Sequence, residues 1–146
     1  MIPDSYVESI TERLSLYTRL DNCENDAELA EFHHELQDRF GPVPAAVEDL
    51  FTTVKCRRLA VDMGFEKMTL KDEVLRCYFI NKPDSPYFES DLFKNVLAYL
   101  QTGTNKGRLK QTGKVFLLVV EPVKGIEEMH RFLTQMHQTV LANPVS

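Results

Sequence analysis

At Gly64 the hydrophobic period of this chain changes, and that change restricts the fold to a helical segment joined to a sheet. Before it, apolar residues recur every three to four positions, the spacing of one helix face; after it they come in short runs rich in Val, Phe and Tyr, as strands do. Val7, Ile10, Leu14 and Tyr17 follow Pro3 at 3-4-3 spacing and predict a first helix over 4–20. Asn25 with Glu28 reads as a capping pair, and Leu29, Phe32, Leu36 and Phe40 carry one stripe through a second helix over 26–40, stopped by Gly41-Pro42. Pro44 suits the first turn of a third helix over 44–63, with Val47, Leu50, Phe51, Val54 and Val61 as its stripe and Gly64 as a left-handed cap.

Beyond Gly64, Met68–Leu70 and Val74–Ile80 flank the polar turn 71–73 and predict a β-hairpin. A loop over 81–86 leads to a fourth helix bearing Phe88, Leu92, Val96, Tyr99 and Leu100 and ended by Gly103. Residues 108–111 and 114–120 form a second hairpin across Thr112-Gly113, and its last strand is apolar enough to be central. Ile126, Met129, Leu133, Met136 and Val140 mark a final helix, after which 143–146 is expected to fray. The order is α+β: an N-terminal three-helix segment, then a small mainly antiparallel sheet of two hairpins with two further helices. A single domain over 1–146 is expected, with a helical part at about 4–63 and a sheet-plus-helix part at about 65–142.

At 43% hydrophobic residues the chain can build a core, and no stretch reaches the roughly 18 to 20 apolar residues that span a bilayer. Met1-Ile2-Pro3-Asp4 lacks the basic and apolar regions of a signal peptide, so a cytoplasmic location and no membrane partner are expected. Three scattered cysteines support neither a disulfide framework nor a Cys-based zinc site. The net charge of -5 gives no overall footprint for wrapping a nucleic acid.

No phosphate loop, HExxH or GxSxG occurs, so the residues offer no catalytic, metal or cofactor site. His33 and His34 point about 100° apart on their helix, and His130 and His137, two turns apart beside Met129 and Met136, read more readily as boundary histidines than as ligands of a metal-dependent enzyme. Lys106, Arg108, Lys110 and Lys114 cluster on the second hairpin and suggest a nucleic-acid-binding module. Edge-strand lysines that block aggregation are the stronger reading, because no aromatic residue interleaves them.

The second helix carries the most informative surface. Glu28, Glu31, Glu35 and Asp38 form an acidic stripe about 125° from its apolar stripe. A solvated face with Glu35 and Arg39 as an i,i+4 pair accounts for it. Glu35 and Asp38 nevertheless lie late in the helix, where the macrodipole disfavours negative charge, and a basic partner would give a reason for them.

The segments Ile2-Pro3-Asp4, Glu12 to Leu20, Glu28-Leu29 and Glu35-Leu36-Gln37-Asp38-Arg39-Phe40-Gly41-Pro42-Val43-Pro44 resemble the C-terminal (TRCF) domain of the bacterial transcription-repair coupling factors, the Mfd family. The resemblance is dense from residue 2 to Gly64 and looser over 65–146. It implies a non-enzymatic regulatory piece of an ATP-dependent DNA translocase that acts in transcription-coupled nucleotide excision repair. Such a piece folds back on the protein's own N-terminal UvrB-like module, masks UvrA binding and restrains the motor until RNA polymerase is engaged. ATP, Mg and DNA would then belong to the motor of the parent protein. The family's docking carboxylates carry over to Glu35 and Asp38, with Glu31 and Glu28 on the same stripe.

Overall fold

The computed structural model describes residues 1–102 and 106–142; Gly103 and the 143–146 tail lie outside them. Two compact units divide between Lys55 and Cys56.

The first unit, Met1–Lys55, holds α1 (Ile10–Asp21), α2 (Asp26–Phe40) and most of α3 (Ala45–Asp62). The first helix starts later than the 4–20 expectation. The Tyr6 and Val7 amides both donate to the Pro3 carbonyl in a turn, and Ser9 caps the helix by accepting from the Glu12 amide. Val7 is buried from that turn, so it does not set the helical face. Leu16 and Leu20, one turn apart, face the core, and Ile10 and Leu14 are 67% and 62% exposed.

For α2 the boundaries agree with expectation. Asn25 Oδ1 accepts from the Glu28 amide at 2.8 Å, while the Glu28 carboxylate accepts from the Glu24 amide, one residue before the cap. Leu29, Phe32 and Leu36 are buried. The helix ends at Gly41, whose φ of 89° favours glycine and whose amide donates to the Gln37 carbonyl. Tyr6 Oη reaches the Leu36 and Gly41 carbonyls at 3.2 and 3.0 Å, satisfying acceptors that the helix end leaves over. Phe40 is only half-buried, tilted on Tyr6 with the Arg39 guanidinium over its ring. Val47, Phe51 and Val54 of α3 complete this core.

In the second unit, β1 (Phe65–Lys71), β2 (Val74–Phe79), β3 (Gly107–Thr112) and β4 (Val115–Val120) form an antiparallel sheet in the order β1-β2-β4-β3. The apolar β4 is central, as its composition predicts, and β1 begins at Phe65, ahead of the expected Met68. A 3-10 turn at Pro86–Glu89 precedes α4 (Asp91–Leu100), and α5 (Ile126–Ala142) closes the unit. Leu75, Cys77, Leu118 and Val120 share one sheet face by register and join Val96 of α4 and Leu133 and Met136 of α5 in one core. Cys56 and Ala60 of α3, and Met63 just after it, belong to the same core, whereas Val61 is exposed. No helix among the described residues is long and apolar enough to cross a membrane.

Candidate functional site

Antiparallel charges on α1 and α2 organise the acidic face. Arg19 of α1 donates to both carboxylate oxygens of Glu35, to Oε1 at 2.9 Å, and stacks its guanidinium 4.6 Å from the Phe32 ring centroid. Arg39 lies 3.5 Å from Glu35 and donates to Glu12 on α1. The result is an alternating row, Glu12, Arg39, Glu35, Arg19, laid across two helices. The Arg19 hydrogen bond, above all, holds the Glu35 carboxyl below the usual carboxylate range, and the same bond raises the Arg19 guanidinium.

Glu35 and Asp38, equivalent in sequence, are therefore different in structure. Glu35 is 37% exposed and gripped by two arginines, and Asp38 is 68% exposed with His34 one turn away at 3.4 Å. Glu28, Glu31 and Glu35 border a shallow cleft of about 410 Å3 that Arg19 and Phe32 also line. Asp38 lies one turn beyond Glu35. No local spacing rule ties Arg19 and Glu12 to this site, since their partners lie 16 and 27 residues away. Only helices of opposite direction, each bearing both signs of charge, could have suggested them.

Charge divides sharply along the chain. The first unit carries 12 Asp and Glu against 4 Lys and Arg, a net of -8, and the remainder carries 10 against 13, a net of +3. An acidic face on a unit this negative suits a basic partner by field as well as by contact.

The other sequence candidates are dispersed. Lys106 donates to the Pro122 carbonyl and to Glu128, both at 3.1 Å, and Arg108 to Glu121 at 3.1 Å. Lys110 and Lys114 are exposed. His137 Nε2 is 3.0 Å from Asp62, His130 is half-buried, and no three His, Cys, Asp or Glu side chains among the described residues are placed to hold a metal ion. Burial pushes the Cys56 and Cys77 thiols up to about 12, which suits packing and not nucleophilic chemistry.

The model of the TRCF domain matches residues 1–90, well over half of the chain. The chain belongs to that family. Among relatives, the transcription-repair-coupling factor of Rickettsia prowazekii (strain Madrid E) is 28% identical over 133 residues, 90% of this chain and 11% of that protein. The factor of Escherichia coli (strain K12) is 32% identical over 68 residues, 47% of this chain and 6% of that protein. This TRCF chain thus spans about a tenth of the length of the curated relatives it matches. The crystal structure of the C-terminal domain of a transcription-repair coupling factor superposes with a TM-score of 0.73 at 19% identity, covering 96% of this chain and 85% of that one, which shows a common fold.

Proposed function

We propose that this TRCF domain is the autoinhibitory docking piece of a transcription-repair coupling factor acting in transcription-coupled nucleotide excision repair. The single observation that supports docking is the acidic face of α2 on a unit of net charge -8. In this reading Asp38 and Glu31 offer exposed carboxylates to basic side chains of the parent's N-terminal UvrB-like module, and Glu35, already ionised and oriented by Arg19 and Arg39, accepts a further hydrogen bond with little reorganisation. Docking masks UvrA binding and restrains the ATP-dependent translocase; ATP and Mg serve the parent's motor, and this domain contributes no catalytic group.

Tethering makes a weak latch sufficient. At an effective concentration near millimolar, an intramolecular partner of modest affinity stays docked, and a competing contact with RNA polymerase can still release it. The test places Glu35→Lys with Asp38→Lys in the full-length parent. Increased UvrA capture without RNA polymerase, with a normal circular dichroism spectrum, is the expected result; unchanged UvrA capture would refute the docking role.

A further inference from the structure

The core of the second unit is built on one face of its sheet, and the opposite face carries a different pattern. By strand register that opposite face holds Lys67 and Lys71 of β1, Arg76 and Tyr78 of β2, Leu117 and Val119 of β4, and Arg108 and Lys110 of β3. Five cations thus share one pleated surface. The nearby carboxylates are Glu66 beside Lys67 on β1, Glu121, which accepts from Arg108, and Asp72 and Glu73 in the turn after Lys71. Leu117 and Val119 are buried, at 5% and 3% exposure, yet fall outside the core cluster. The centre of this face therefore offers no apolar anchor of the kind an amphipathic helix needs, and charge is what it presents.

Where β1 and β4 begin and β2 and β3 end, a cavity of about 400 Å3 opens at the strand ends, reached from the cationic face past Lys67 and Tyr78 and lined from the core side by Phe79, Phe116 and Gln111. Phe88 and Phe116, both half-buried, line it over Phe79, whose ring stacks on Phe116 with centroids 4.7 Å apart. Lys67 and Lys114 border it together with one carboxylate, Glu66, and Asn81 and Gln111 add amide donors and acceptors. An aromatic-lined recess with a cationic border and amide groups fits a planar, hydrogen-bonding ring attached to a phosphate. An acidic peptide supplies the charge without the ring, and a duplex supplies the phosphates while keeping its bases stacked.

We propose that this sheet face binds single-stranded nucleic acid, with backbone phosphates on Lys67, Arg76, Lys110 and Lys114 and one unstacked base turned around the strand ends into the Phe88–Phe116 cavity. The surface shares no residue with the acidic stripe of α2, so the two assignments stand or fall independently. It also extends beyond the hairpin lysines, because Lys67 and Arg76 come from the other hairpin and Phe88, outside both hairpins, adds a second ring to Phe116.

The test is fluorescence anisotropy of a labelled 15-nucleotide oligo(dT) titrated with the whole chain at several salt concentrations. An abasic strand of the same length should bind at least about fivefold more weakly, as loss of a stacked base implies. The combined Lys67→Glu, Lys110→Glu and Lys114→Glu variant, its fold checked by circular dichroism, should reduce the salt slope by about 2, at roughly 0.7 for each phosphate contact on a single strand. Duplex DNA and poly-glutamate should each compete at least tenfold less well. Absence of binding, equal binding of the abasic strand, equal competition by duplex or poly-glutamate, or an unchanged salt slope in the variant would each overturn the proposal.

Discussion

Replacing Gly64 with alanine should destabilise the second unit by about 3 to 4 kcal/mol, through two separable causes. Gly64 has a φ of 102°, a conformation that costs an L-residue roughly 1 to 2 kcal/mol. A Cβ at this position would also stand 2.1 Å from the Tyr87 ring, so the ring must leave. That ring lies 5.2 and 5.3 Å from the centroids of Phe88 and Phe93, and its hydroxyl donates to the Met63 carbonyl at 2.5 Å. Losing the hydrogen bond and loosening the aromatic contacts adds about 2 kcal/mol. Urea unfolding followed by far-ultraviolet circular dichroism measures the total. A double-mutant cycle separates the causes: with Tyr87→Ala already present, Gly64→Ala should cost only the backbone part, about 1 to 2 kcal/mol. The same cost in both backgrounds would show that the ring contact is not the reason for glycine here.

Two further outcomes follow from burial and charge. Cys23 is half-exposed while Cys56 and Cys77 are buried with thiols raised to about 12, so an aromatic disulfide reagent at pH 8 should modify one thiol quickly and the other two only in denaturant; three fast thiols would contradict the core assignment. Because Arg19 lowers the folded-state Glu35 value, the stabilisation from this pair is complete above the ordinary glutamate value of about 4.3 and lost as pH falls through the lower folded value. Arg19→Gln should therefore weaken the dependence of stability on pH between about 5 and 3, and an unaltered dependence would show that the pair is too solvent-screened to matter.

The sequence disclosed those features that local rules govern. Asn25, Gly41 and Gly64 act on neighbouring backbone, and with the stripe Leu29, Phe32 and Leu36 they mark α2 and the end of α3 to within a residue or two. The uninterrupted apolar run of β4 announced a central strand because an inner strand, flanked by β2 and β3, can bury many consecutive side chains, those off the core face included. Periodicity misled in α1, where Val7 belongs to a turn and the 3-4-3 count begun there assigned the exposed Ile10 and Leu14 to the core. Phe40 is half-buried at a helix end, where the stripe meets solvent. At the acidic face, the stripe itself was legible from α2 alone. The Arg19 grip that separates Glu35 from Asp38 was not, because it depends on tertiary pairing of α1 with α2.

Calorimetric titration of this chain into the isolated UvrB-like module tests the docking account most directly. Docking through the acidic face should give a saturable complex that weakens with added salt and loses more than tenfold in affinity with Asp38→Lys, a substitution that leaves the Arg19–Glu35 pair in place. An affinity unchanged by Asp38→Lys, in a chain whose unfolding midpoint matches the wild type, would contradict it and leave the acidic stripe as a solvated helix face.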